Sequence, residues 1–384
     1  MHTTRLKLAL LLLGASVVGC NSSNPGGGAK QESTTKSSPA LRLTRTIPLP
    51  GVGVPATTTD SAAIPGRLDH LAYDAATGRL FIAALEQGSL EVVDLNKGER
   101  IKRIEGLKKP QGIAVVGQAG CVVVACGDEN AVHVYGLADL AERAVTPVGH
   151  DADNVRTDGT NQAYIAFGPD EGPGGIAIYD AIALKKVGQI SLAARPESFQ
   201  FDLRPGSQRI FVNLPGKKRA DNDGSIAVVN RSTGQTVATW HLAGAAQNFP
   251  MGFDSEHDRV FVASRKPPLL FCLDGKSGAV LGKAPCVADS DDLYYDALAD
   301  RVVVIGGGRR TLESPSPGVR FPGADAAIDM FQVNDAGSLL KIGTVPTAPH
   351  ARTGFFVPQR RAIYIVCPPQ GTADAKVLEF TLGT

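Results

Sequence analysis

Seven short apolar runs recur along this chain, and their spacing constrains the fold more than any other feature. They are GRLFIAAL, GCVVVACG, QAYIAFG, QRIFVNL, DRVFVAS, DRVVVIG and RAIYIVC. Anchored at Phe81, Val123, Tyr164, Phe211, Phe261, Val303 and Tyr364, they stand 42, 41, 47, 50, 42 and 61 residues apart. Long helical periodicity is missing. β-branched and aromatic runs bounded by Gly, Asp, Asn and Pro read as strands. A period of about 40–45 residues is that of four-stranded propeller blades.

Each unit repeats one internal order. An apolar run comes first (HLAYD, GIAVV, SFQFD, MGFD, LYYD), then the anchor strand, then a strand ending in a turn, as in LEVVDLNKGE and IAVVNRSTGQ. Asp or Asn followed closely by Gly supplies a side-chain cap and a positive φ for a tight hairpin. A fourth strand such as RIKRIEGL or TVATWHL closes the unit. The seventh unit stops after its third strand, AKVLEFTLGT, while LRLTRTIPLP (41–50) has no partner nearby. Pairing the two closes a ring and removes two exposed sheet edges. The expected fold is all-β: a seven-bladed β-propeller whose last blade is closed by the N-terminal strand, residues 41–50. An open stack of sheets is the alternative.

The unit RLFIAALEQGSLEVVDLNKGE and its successors, with PQGIAV and NFPMGFDSEHDRVFVASR, resemble the YVTN/YncE-like seven-bladed propellers of bacterial envelopes over residues 41–384. The resemblance implies the fold. It leaves activity open, since related propellers include binding proteins, lyases, lactonases and redox subunits.

Alignment on Asp74, Val116, Asp158, Asp202, Asp254, Asp296 and Val357 separates core from candidate site. Three places earlier stand Leu71, Ile113, Val155, Phe199, Met251, Leu293 and Gly354, which reads as packing. Five places earlier stand Asp69, Gln111, Asp153, Glu197, Phe249, Asp291 and Arg352; seven earlier, Arg67, Lys109, Asp151, Arg195, Gln247, Asp289 and His350. Both columns are almost wholly polar. The loops that carry them precede the innermost strands, so they are expected to converge on one mouth of the channel. The candidate ligand-binding residues are Asp69, His70, Gln111, Asp153, Asn154, Glu197, Asp291, Asp292, His350 and Arg352. Asp69, Asp153, Glu197 and Asp291 are candidate ligands for a hard divalent cation, calcium or magnesium. Arg195, Arg352, His70 and His350 can balance the acids. The plainer alternative is a solvated rim with no ligand.

Local motifs exclude several chemistries. DSDD (289–292) lacks the alternating ligands, central Gly and distal Glu of an EF-type loop. GGGRR (306–310) has no P-loop Lys-Ser/Thr ending, and Gly-x-Ser-x-Gly is absent. Asp202, Asp254 and Asp296 are expected to cap turns. His133 and Trp240 read as packing residues. Insertions at 215–224 and 306–327 break the period and offer recognition loops.

The N-terminal MHTTRLKLALLLLGASVVGC has a basic start, an apolar core and small residues before a cysteine. That is a secretory signal, too short to span a bilayer. Its VVGC ending resembles the lipobox of bacterial lipoproteins, which implies a signal peptide at 1–20 and lipidation of Cys20. Residues 21–40, rich in Gly, Ser, Thr and Pro, form a flexible tether, and 41–384 form the propeller. Asn21 resembles the outer-membrane sorting pattern, which implies the periplasmic side of the outer membrane. Five other cysteines remain: Cys121, Cys126, Cys272, Cys286 and Cys367. No Cys-x-x-Cys occurs, which argues against ribbon-type zinc and covalent haem. Most of these thiols are expected as small buried groups, and export leaves disulfides possible. With 39 basic and 38 acidic side chains and no long basic run, nucleic acid is not an expected partner.

The reading that follows is a lipid-anchored, monomeric envelope propeller that binds a partner protein or small ligand at the channel mouth. The alternative is a metal-assisted lyase or lactonase-type hydrolase at the same mouth. A redox accessory subunit is a third reading, without a cofactor motif of its own.

Overall fold

The computed structural model describes residues 41–53, 66–216, 223–308, 325–370 and 372–383. The leader with Cys20, the tether, and the insertion segments 217–222 and 309–324 lie outside the described residues.

The described residues form seven antiparallel four-stranded sheets. Blades one to six use 71–105, 110–147, 155–192, 199–241, 246–285 and 290–346, each with its strands in chain order. Blade seven takes three strands from 354–381, and its fourth is Arg42–Pro48. That strand pairs antiparallel with Lys376–Thr381, from Arg42 against Thr381 to Pro48 against Lys376. The pairing continues past the strand end, where the Leu49 N–H donates to Ala375 O at 2.9 Å. The ring is therefore closed by the segment that the sequence leaves without a local partner.

The hairpins follow the Asx–Gly pattern. Asp94 Oδ1 accepts the N–H groups of Asn96 (2.9 Å) and Lys97 (3.1 Å), and Gly98 then adopts φ 75°. Asn230 caps the same turn in blade four, ahead of Gly234 at φ 70°. Asp202, Asp254 and Asp296 each accept a backbone N–H two residues on, as expected.

The core is divided among seven apolar clusters, each between two neighbouring blades. The cluster that closes the ring packs Ile47 and Leu49 of the N-terminal segment, with Tyr364 and Val377, against Leu80, Ile82 and Val93 of blade one. A middle strand such as Cys121–Cys126 is buried at every position, because blades cover both of its faces. An outermost strand such as Gln235–His241 alternates toward solvent. Trp240 packs within the cluster between blades four and five. All five described cysteines are free thiols, and four of them are buried.

Candidate functional site

The packing column holds: Leu71, Ile113, Val155, Phe199, Met251 and Leu293 are all buried between blades. Just ahead of it the strands depart from regular pairing. The Asp69 N–H donates to Ala83 O (2.8 Å), while the Ala83 N–H donates to His70 O (3.1 Å). The same pair of bonds sets Asp153 and Asn154 against Ala166, and Glu197 and Ser198 against Asn213. Blades two, five and six slip register at the equivalent place, between Pro110 and Ile113, Asn248 and Met251, and Ser290 and Asp292. This is a β-bulge repeated around the ring, with two residues opposing one. A bulge re-aims side chains, so the consecutive residues Asp69 and His70 both reach the basin. Asp291 and Asp292 of ADSDDLYYD lie on the strand Ser290–Asp296 itself rather than in a loop before it.

The bulges surround a basin of about 1540 Å³. All seven residues of the nearer polar column line it: Asp69, Gln111, Asp153, Glu197, Phe249, Asp291 and Arg352. Six of the seven in the outer column also line it, from Arg67 to Asp289. His350 is half-buried and lies outside the lining, as do Asn154 and Asp292. Asn154 is buried with its Oδ1 unpartnered, and Asp292 Oδ2 accepts the Gly354 N–H at 2.9 Å.

The acids converge, and arginines stand between them and pair them. Asp291 lies 2.6 Å from Arg265 and 2.8 Å from Arg352. Arg195 reaches Asp170 (2.6 Å), Asp153 (3.0 Å), Asp151 (3.2 Å) and Glu197 (3.4 Å). Arg67 holds Asp69 at 2.9 Å, and Lys109 holds Asp151 at 2.6 Å. Gln111 donates to Ala152 O at 3.0 Å. The four carboxylates read from the sequence as cation ligands are thus each committed to a guanidinium. Among the described residues, a group of three metal-ligating side chains with mutually close ligand atoms occurs on blade two instead, at Cys126, Glu129 and His133. The pairing has a Coulombic reason: charged groups taken out of water need opposite charges close beside them.

These surroundings split the carboxyls. Burial would raise Asp291, but Arg265 and Arg352 outweigh it and hold the group at about 2. Burial dominates at Glu197 and pushes it up to about 8; Arg195 opposes this, whereas Asp153 and Asp291 add to it. Burial likewise raises Asp153 against the pull of Arg195. Asp291 and Glu197 are thus pushed in opposite directions within one basin.

Arg265 is the main residue that the two columns miss. It comes from the end of the second strand of blade five, Arg259–Lys266, and lies over the Phe249 ring at 4.0 Å from the centroid. Its signal was available. Five places past the anchors stand Glu86, Asp128 and Lys266, all basin-lining, and Arg265 directly precedes the last of them.

No family model and no curated protein matches the chain. Among solved structures, a chain of Kuenenia stuttgartiensis hydrazine synthase superposes with a TM-score of 0.65 at 15% identity, covering 82% of this chain and 96% of that one. A chain from a crystal structure of the mitotic checkpoint complex gives a TM-score of 0.64 at 10% identity, covering 97% and 100%. At these identities the likeness is one of fold alone, and that fold is the seven-bladed β-propeller.

Proposed function

We propose that the chain is an exported propeller, lipid-anchored through Cys20 on the periplasmic side of the outer membrane, that binds a small charged ligand at the channel mouth. The lipobox-like leader and the resemblance to YVTN/YncE-like envelope propellers support the placement. The observation that carries the binding reading is the basin itself. Thirteen side chains of the two polar columns converge on it, with guanidiniums, a lysine and carboxyls side by side. A ligand bearing both acidic and basic groups can exchange with these internal pairs at little net electrostatic loss. Phe249 beneath Arg265 adds an apolar and cation–π platform. A polar segment of an envelope protein would use the same groups.

The test is native mass spectrometry of the chain purified from its envelope fraction, followed by rebinding of whatever is released. Wild type is expected to retain a ligand, and Arg265→Ala to lose it while keeping its fold. A basin that rebinds nothing from the extract, with Arg265→Ala indistinguishable from wild type, defeats the reading.

The lyase or hydrolase alternative draws support from Glu197, a basin-lining carboxyl that burial raises to about 8. The cation that chemistry would use has less support, because Asp69, Asp153, Glu197 and Asp291 already face arginines. Calcium or magnesium that raises the melting temperature of wild type, but not of Asp291→Asn, would favour it.

A further inference from the structure

Blade two carries a second cluster of chemically active groups, behind the rim of the basin. The strand Cys121–Cys126 runs into a 3-10 turn, Gly127–Glu129, and the chain returns as the strand Ala131–Gly136. Gly127, Asp128 and Asn130 of this turn line the basin. Glu129 is not among the lining residues; its Oε2 lies 2.8 Å from His133 Nε2. Cys126 is fully buried beside them. One ligand atom from each of Cys126, Glu129 and His133 lies within 4.8 Å of the other two.

A thiol, an imidazole and a carboxylate are the donors of a borderline-soft ion, and of zinc above all. Calcium and magnesium take oxygen ligands instead. Zinc bonds of about 2.0–2.3 Å imply ligand–ligand edges of about 3.3–3.6 Å in a tetrahedron. The cluster brackets that range, from 2.8 Å between Nε2 and Oε2 to less than 4.8 Å for every pair. Glu129 is the ligand with room to move, since its side chain is partly exposed whereas Cys126 and His133 are buried.

The other nitrogen of the ring supplies an independent observation. His133 Nδ1 lies 2.7 Å from Glu142 Oε1, on the adjacent strand Glu142–Pro147. Metal-bound imidazoles characteristically give their second N–H to a carboxylate, which fixes the tautomer and aims the free nitrogen at the ion. Here Glu142 holds Nδ1 and leaves Nε2, 2.8 Å from Glu129 Oε2, as the nitrogen for the ion.

We propose that Cys126, Glu129 and His133 bind a zinc ion, with a fourth position left to solvent and Glu142 acting as the positioning residue for His133. The ion would pin the 127–130 turn. Asn130 Oδ1 accepts the Asp151 N–H at 2.9 Å, so the pinned turn also sets the Lys109–Asp151–Arg195 part of the basin.

Titration of the chelator-stripped chain with zinc, and with cobalt as a spectroscopic substitute, tests the assignment. One ion per chain is expected, with a thiolate-to-cobalt charge-transfer band and a single sulfur neighbour in the zinc X-ray absorption spectrum. Cys126→Ser is expected to abolish the band, and Glu142→Gln to lower zinc affinity by about 10–100-fold at unchanged stoichiometry. Serine at Cys121, Cys272, Cys286 or Cys367 should leave the band in place. If Cys126→Ser fails to fold, Glu129→Gln at the partly exposed position reads the same site through lost affinity. The proposal is overturned if wild type binds no stoichiometric zinc, if the zinc shell holds no sulfur, or if the band survives Cys126→Ser.

Discussion

His70 Nδ1 stands 3.4 Å from Asp292 Oδ1, so blade one meets blade six past the end of blade seven. The other oxygen of Asp292 accepts the Gly354 N–H of blade seven. One carboxylate therefore ties three blades together at the axis. Burial alone would lower the imidazole, but attraction to Asp292 raises it to about 10. The stability this contributes is full below the unfolded value of 6.5 and is lost as pH rises through about 10. Unfolding free energy is expected to fall by about 1–3 kcal/mol from this group between about pH 6 and pH 10. Urea titrations across that window check it, and His70→Gln should flatten the slope.

Glu197 acts in the same direction for a different reason. Its folded value of about 8 lies above the ordinary 4.5. The folded state thus holds a proton that the unfolded chain releases, and stability declines as pH rises through that interval. Glu197→Gln keeps the shape and removes the penalty. The variant should match wild type near about pH 4 and exceed it by about 1–3 kcal/mol near pH 9. Arg195 keeps Asp151, Asp153 and Asp170 as partners in the variant. Melting temperatures at the two pH values decide the matter; a variant less stable than wild type at pH 9 would contradict it.

The N-terminal strand is a structural part of the ring. Ile47 is fully buried between blades seven and one. Ile47→Ala should destabilise by about 2–5 kcal/mol. Removal of residues 41–50 strips the hydrogen-bonded partner from Lys376–Thr381 and bares a sheet edge. Light scattering is expected to show more self-association by the truncated chain than by the full one.

Gly112 occupies the bulge position where other blades carry His70, Asn154, Ser198 or Asp292. A Cβ there would lie 2.1 Å from Asp153 O and 2.7 Å from Val155 N, both backbone atoms of blade three. Neither can swing aside. Gly112→Ala should therefore cost about 1–3 kcal/mol, whereas Gly117→Ala, with nothing within 4 Å, should be close to neutral. Parallel denaturation curves compare the two.

The sequence alone determined the seven units, the place of the orphan strand, and the columns that separate core from mouth. Burial recurs once per blade, so it leaves a regular period in the residues: Leu71, Ile113 and Val155 mark it as plainly as the Asp–Gly turns do. Thirteen of the fourteen positions in the two polar columns line the basin. That Asp69 and His70, consecutive residues, both face the basin depends on the bulge, which simple alternation does not contain. Only the tertiary structure decided which charges meet. Arg265 of blade five and Arg352 of blade seven converge on Asp291 of blade six, although 26 residues of chain separate the first pair and 61 the second. Coulomb attraction depends on distance through space, and at the axis of a ring residues distant along the chain are neighbours. The convergence of neighbouring blades on one axis therefore made a set of arginine-paired carboxyls out of what reads along the chain as a collection of free acids.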